Sequence, residues 1–278
     1  MSRDLKNKLT GLQELLQATG KAAVAFSGGV DSTLLLRVAC DTLGPENVTA
    51  LHAVSDLIPE KDQIKTKRLV TAPENGIHCS YRIVPVQPLD WPEFVVNSEQ
   101  RCYFCKKRIY GTLLAAIRQG DHSPAMDPSP RFTCLLDGTN TDDLQEHRPG
   151  LQAIKELSVG TPLARAGLNK KDIRSLAGKL GLTNWNQPSN SCLATRIPVH
   201  EKITMVLLGR IAQAEEFLQE KGFTGCRVRP GQDTVMVQVM TKDRDRLLAE
   251  SSRLEITKYL ATIGFYNIFI DSKGRDKL

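Results

Sequence analysis

No stretch of about 18 consecutive apolar residues occurs in the chain, so nothing in it reads as a membrane-spanning helix. The opening residues Met1-Ser2-Arg3-Asp4 carry no apolar segment of the kind that directs export. Aromatics are scarce, at 5%, and the net charge is only +6, too little to call for a broad nucleic-acid surface. The GxxxxGK[ST] spacing of a Walker A loop is missing, which sets aside the P-loop NTPases. Five histidines are scattered without HxxxH or HxE patterns, and a single CxxC has no second pair to complete an ordinary zinc site. What remains is ordinary globular material: 278 residues, 41% hydrophobic and 24% charged, with mean hydropathy −0.26. That length fits one large domain or two ordinary ones. We expect a cytoplasmic protein. Its basic surplus, with pI about 8.9, suits a phosphate-bearing or otherwise anionic small ligand. Seven cysteines is an odd number for a disulfide framework; in a reducing compartment such thiols pack, bind metal or react.

Apolar runs at 22–26, 48–54, 81–86 and 132–137 predict buried strands. Between and after them, 32–43, 59–75, 105–119 and 170–180 read as helices, the last opened by Asn169 as N-cap and closed by Gly181. This alternation predicts an α/β fold, a parallel sheet covered on both faces. The segment 120–131, with three prolines, reads as an exposed loop insertion with a disordered tip. Composition breaks again at 184–198, rich in Asn, Ser and Pro. Beyond it, a helix at 203–221, strands at 227–229 and 235–239, a helix at 243–260 and a strand at 265–270 predict a small α+β domain. The expected division is therefore 1–198 and 199–278, the second part serving substrate binding or assembly of a homo-oligomer.

The strongest motif is Ser27-Gly28-Gly29-Val30-Asp31-Ser32, placed directly after a strand and directly before a helix. Glycines there let the backbone approach a phosphate, and the helix start offers free N–H groups to an anion. A tight strand-to-helix turn using glycine for geometry alone is the plainer alternative. The hexapeptide resembles the PP-loop of ATP pyrophosphatases, which cleave ATP between its α and β phosphates to adenylate an oxygen. That resemblance implies that Ser27, Gly28, Gly29, Asp31 and Ser32 bind ATP, with Mg²⁺ helping to neutralise its phosphates. Arg37, one turn on, reads as a solvated helix residue.

Further segments narrow the resemblance: Arg101-Cys-Tyr-Phe-Cys-Lys106, Leu136-Asp-Gly-Thr-Asn-Thr-Asp-Asp143, Arg148-Pro-Gly150, Pro188-Ser-Asn-Ser-Cys-Leu-Ala-Thr-Arg-Ile-Pro198 and Arg227-Val-Arg229. In this order, over nearly the whole chain, they resemble the LarE family of ATP-dependent sulfur transferases. The resemblance implies a small-molecule substrate, a pyridinium carboxylate mononucleotide, whose carboxylate is adenylated before its oxygen is replaced by sulfur. Cys192 matches the family's sulfur-donating cysteine, and Arg196, nearby in sequence, would favour its thiolate. A buried packing cysteine is the alternative. Arg227 and Arg229 alternate along a strand and so share a face, where two guanidinium groups could clamp the substrate phosphate; a solvated strand face is the alternative. Glu215 matches an acidic residue of the family implicated in metal or substrate handling.

Cys102-Tyr-Phe-Cys105 reads as redox-active, half a zinc site, part of an iron–sulfur site, or structural. With Cys192 it gives three thiolates, expected in loops at the ligand-binding edge of the sheet. Three cysteines holding a [4Fe–4S] cluster leave one iron open to carry an extra sulfide. The resemblance implies either a type that uses such a cluster or a type that sacrifices one cysteine sulfur, and the CxxC favours the cluster type, with Cys102, Cys105 and Cys192 as its ligands. Cys40, Cys79 and Cys134 read as packing residues, and Cys226, beside Arg227, is less readily dismissed. Two departures stand out: Pro230 and Gln238 occupy positions where the family pattern has histidine and glutamate. The rivals are a PP-loop tRNA thiolase, with salt-sensitive RNA affinity, an amidotransferase-type synthetase and a non-catalytic ATP-binding sensor, for which Cys192 would have no use.

Overall fold

The computed structural model describes residues 1–55, 57–119, 134–145, 149–188, 191–271 and 273–275. The loop insertion expected at 120–131 lies outside them, as does the start of the strand expected at 132–137. Among the described residues no helix is long and apolar enough to cross a membrane.

The chain divides into two compact units. The first comprises 1–55, 60–86 and 102–187 and is built on four parallel strands: β1 (Ala22–Ala25), β2 (Val48–Val54), β3 (Ser80–Pro85) and β4 (Cys134–Leu136). Their order is β3-β2-β1-β4, with Ala22 facing both Val48 and Cys134. Strand alternation sends Ala22 and Val24 into one core layer and Ala23 into the other, and does the same with Leu136 and Leu135. Helix α1 (Arg3–Gln17), helix α2 (Val30–Leu43) and the helix Lys170–Lys179 supply the first layer. The helix Arg101–Gln119 supplies the second through Tyr110, Leu113 and Ala116. The expected parallel sheet, covered on both faces, is thus present.

Helix α1 had no counterpart in the sequence reading. Its signal is the 4-3-4 spacing of Leu5, Leu9, Leu12 and Leu16, three of them buried, behind a Ser2 N-cap whose hydroxyl accepts from Leu5 N at 3.2 Å. The helix expected at 59–75 ends at Thr71 as α3 (Glu60–Thr71), because Pro73 stops it and starts a short 3₁₀ turn. Asn169 and Asp172 form a full capping box on the helix Lys170–Lys179.

The second unit comprises 56–59, 87–101 and 188–278. It holds β5 (Arg227–Pro230), β6 (Val235–Gln238) and β7 (Ile268–Ile270), with β5 antiparallel and β7 parallel to β6. The helix Met205–Glu220 buries Leu208, Ile211, Ala214 and Leu218. The helix expected at 243–260 is two helices, Arg244–Leu248 and Glu250–Thr262, separated where Ala249 turns extended (ψ 136°). No glycine or proline announces that break.

Packing carries 188–198 with the second unit, where the sequence division had kept them in the first. The reason is local. Asn97, fully buried in the left-handed region (φ 57°), donates from Nδ2 to the carbonyls of Pro198 (2.6 Å) and Glu201 (2.8 Å). Ile203 N also donates to Val95 O at 3.0 Å. A hydrogen-bonded seam thus ties 95–101 to 194–203, more than ninety residues away in sequence.

Candidate functional sites: a nucleotide loop and a pinned cysteine

In the first unit, β1 leaves the sheet next to β4, where the strand order reverses; open α/β sheets bind ligands at the carboxyl ends of strands at such a point. The turn there is 27–32. Gly28 adopts φ +75°, and a Cβ on it would lie 2.5 Å from Thr66 Oγ1, so both conformation and space demand glycine. Ser32 Oγ donates to Gly29 O (3.0 Å) and lies 3.2 Å from Ser27 Oγ, tying the two ends of the turn. Thr33 Oγ1 donates to the same carbonyl at 2.9 Å. Gly138, just past β4, lies so close that a Cβ there would sit 2.9 Å from Ser32 N.

Asp31, the first acidic residue of α2, is ion-paired with Lys170 and accepts from Asn140 Nδ2 at 3.4 Å. Asn184 holds the loop from behind, donating to Gly28 O (3.1 Å) and Thr33 Oγ1 (2.9 Å). Sequence reasoning missed Lys170 and Asn184. Neither lies in a recognisable motif; both reach the loop through tertiary packing. Arg37 is not a solvated residue: it ties Asp41 (2.8 Å) to the Asn75 carbonyl (2.7 Å).

At the end of β4, the buried Asp137 accepts from Thr139 N at 2.7 Å and from the Thr139 and Tyr110 hydroxyls, and Lys106 Nζ stands 3.5 Å away. Burial, reinforced by the Asp137 charge, raises the Tyr110 pKa well above its usual value. Lys106 brings in the CxxC segment, which corrects the expectation of a loop. Cys102 and Cys105 lie in the first turn of the helix Arg101–Gln119, since Arg101-Cys-Tyr-Phe-Cys-Lys106 contains no glycine or proline to delay the helix. Tyr103 fixes that turn by donating to Glu156 Oε2 at 2.8 Å while accepting from Lys107 at 2.7 Å. At i and i+3 the two thiols share one helix face, Cys102 exposed and Cys105 half-buried.

In the second unit, Cys192 is exposed and directly precedes a short 3₁₀ turn, Leu193–Arg196. Three guanidinium groups hold the backbone of this segment. Arg101 donates to Ala194 O (2.9 Å), Arg229 to Thr195 O (3.0 Å) and Arg196 to Ser191 O (3.2 Å). Arg196 is 3% exposed and forms a two-pronged pair with Glu215, at 2.7 and 3.0 Å. Its charge is matched by Glu215, a partner that the spacing from Cys192 gave no sign of. Glu215 is itself buried, and its Oε1 also accepts from Val228 N at 2.9 Å. The carboxylate thus binds β5 to the cysteine turn.

Arg227 and Arg229 share a face of β5, as their alternation required, and both are half-buried. Arg229 also donates to Gln238 Oε1 at 2.8 Å, while the Arg227 guanidinium has no hydrogen-bond partner among the described residues. Burial, with Arg275, Arg196 and Arg229 nearby, pulls the Arg227 pKa down to about 10. Cys226 packs inward with its thiol against Glu215 O, and burial pushes its pKa up to about 12, consistent with a packing role.

Among the described residues, no group of three or more His, Cys, Asp or Glu side chains could hold a metal ion. Cys102 and Cys105 belong to the first unit and Cys192 to the second.

No family model matches the chain. An uncharacterised protein of Synechocystis sp. is 33% identical over 272 residues, 97% of this chain and 95% of its own. The pyridinium-3,5-bisthiocarboxylic acid mononucleotide synthase of Lactiplantibacillus plantarum is 30% identical over 272 residues, 97% of this chain and 92% of its own. The chain belongs to the LarE family. An uncharacterised protein of Methanocaldococcus jannaschii is 26% identical over 251 residues, 90% of this chain and 89% of its own. With 97% of the chain matched, the LarE likeness runs through both units, so the nucleotide loop and the cysteine turn fall within it.

Proposed function

We propose that this LarE-family chain is a sulfur transferase that binds ATP, as its Mg²⁺ complex, on the 27–32 turn and transfers sulfur through Cys192. The substrate is a pyridinium carboxylate mononucleotide, in keeping with the activity named for the Lactiplantibacillus relative. Its carboxylate oxygen attacks the α phosphorus of ATP, pyrophosphate leaves, and the acyl adenylate now carries AMP, a far better leaving group than oxide. The Cys192 thiolate attacks the acyl carbon and AMP departs. Loss of the Cys192 α-proton with cleavage of its Cβ–S bond then leaves the sulfur on the substrate and dehydroalanine at 192. The same reading assigns the protein to the cytoplasm, the compartment in which ATP and mononucleotides are at hand.

The observation that carries the reading is the presentation of Cys192: an exposed thiol on a turn held by Arg101, Arg196 and Arg229. A nucleophile that must meet a short-lived adenylate gains from such fixed placement. Arg227, with its donors unspent, is suited to the substrate phosphate. Glu215 works through Arg196 and Val228 as a positioning residue.

Incubation with ATP, Mg²⁺ and a carboxylated pyridinium mononucleotide should release AMP and pyrophosphate, and Asp31→Ala should not. ADP and phosphate as products would overturn the assignment. After one turnover the intact mass should fall by one H₂S at Cys192. Repeated turnover with added sulfide, and iron lost on replacing Cys102, Cys105 or Cys192, would instead place the sulfur on a cluster.

A further inference from the structure

Asn184 stands behind the nucleotide turn in an orientation that its neighbours do not let it reverse. Its Nδ2 donates to Gly28 O at 3.1 Å and to Thr33 Oγ1 at 2.9 Å. A carbonyl only accepts, so the amide nitrogen must face Gly28. Thr33 Oγ1 in turn donates to Gly29 O at 2.9 Å, a carbonyl that also accepts from Ser32 Oγ and Thr33 N, each at 3.0 Å. One side chain thus claims two successive carbonyls, the first directly and the second through a hydroxyl.

A trans peptide carries its C=O and N–H on opposite sides, and the described chain has no cis bond. With Gly28 O drawn back to Asn184, the Gly29 N–H points the other way. Its partner there is Ser27 Oγ, at a long and exposed 3.4 Å. With Gly29 O drawn towards Thr33, the Val30 N–H is turned away from the body of α2 as the first of its unpaired donors.

The relay is sealed from water, Asn184 being 2% exposed and Thr33 0%. Asn184 Oδ1 is buried as well and has no hydrogen-bond partner among the described residues. An amide serving stability alone would satisfy both its ends; this one leaves its acceptor unpaired while both its protons serve the turn. Its place is fixed from outside the turn. The buried Asn75 accepts through Oδ1 from Thr183 N at 3.0 Å and Thr183 Oγ1 at 3.1 Å, and Gln187 N donates to Asn184 O at 3.1 Å.

We propose that Asn184 is a positioning residue for phosphate binding: acting directly on Gly28 and through Thr33 on Gly29, it aims the Gly29 and Val30 N–H groups at the terminal phosphates of ATP. The proposal rests on the reading of the 27–32 turn as the ATP site. Oriented N–H groups act in proportion to the negative charge they face, so their loss bears most on the pyrophosphate end of the nucleotide and least on AMP.

The test is calorimetric titration of the full chain with magnesium pyrophosphate, and separately with AMP, together with amide NMR. In the parent, pyrophosphate should shift the Gly29 and Val30 amide resonances. Asn184→Leu, close in size and without a donor, should weaken pyrophosphate binding about tenfold or more and abolish those two shifts, with AMP affinity held within about twofold. Thr33→Val should lose part of the same affinity, and Thr33→Ser, which restores the hydroxyl, should recover it. The Thr33 pair carries the test if Asn184→Leu does not fold. Pyrophosphate affinity within about twofold of the parent in folded Asn184→Leu, or in Thr33→Val where that variant alone folds, would overturn the role of Asn184. Equal loss of pyrophosphate and AMP affinity would also overturn it, since that marks a merely structural contribution. No pyrophosphate binding by the parent would overturn the ATP site itself, and the proposal with it.

Discussion

Glu215→Gln tests the device that holds the cysteine turn. The parent carboxylate accepts from Arg196 at 2.7 and 3.0 Å and from Val228 N at 2.9 Å, and both members of the pair are buried. A glutamine offers one acceptor oxygen where the carboxylate had two, and it leaves the Arg196 charge buried without compensation. Breaking one side of a buried pair costs about 3–5 kcal/mol. We take the lower end, ~3 kcal/mol, because Arg196 keeps its bonds to Ser191 and Thr195. For a unit of this size each kcal/mol moves Tm by ~4 °C or more, so the second unit should melt roughly 12 °C lower or more. Calorimetry of the intact chain reads that shift, and hydrogen exchange should show lost protection at Val228 N. Replacing both partners with apolar residues, Arg196→Met with Glu215→Leu, should cost less than the single change, since no charge is left stranded. A Tm within about 2 °C of the parent, with Val228 still protected, would refute the reasoning.

Gly28→Ala forces a Cβ onto Thr66 Oγ1 at φ +75°, and should destabilise the loop by about 1–3 kcal/mol and weaken ATP binding accordingly, as titration with a non-hydrolysable ATP analogue would show. Arg227→Ala removes a side chain that ties down nothing else, so substrate binding should weaken by about 1.5–3 kcal/mol with Tm and ATP affinity unchanged. Arg229→Ala, which also releases Thr195 O, should lower the rate of sulfur transfer as well as the affinity. His52 is 2% exposed and burial pulls its pKa down to about 4, so the folded chain resists a proton that the unfolded chain accepts from about pH 6.5 downward. Stability should therefore fall by roughly 3 kcal/mol between pH 6.5 and 4 from this residue, and His52→Gln should flatten that part of a Tm–pH curve.

The parallel sheet and the nucleotide turn were legible in the sequence because their determinants are local. Apolar runs such as Val48–Val54 form strands by burial on both faces, and Gly28 is dictated by the turn it must make. The shared face of Arg227 and Arg229 followed from strand alternation alone. The helical state of the CxxC segment did not: the helix read at 105–119 starts four residues earlier, at Arg101, and takes both Cys102 and Cys105 with it. What Arg196 does was likewise beyond sequence spacing. Four residues from Cys192 it reads as an activator, but Glu215, drawn in by the helix Met205–Glu220, claims its charge. Lys170 at Asp31 and Asn184 behind Gly28 belong to the same class. Each is a long polar side chain or amide with no periodic signature, and its role is set by which distant backbone the packing of apolar faces brings within its reach.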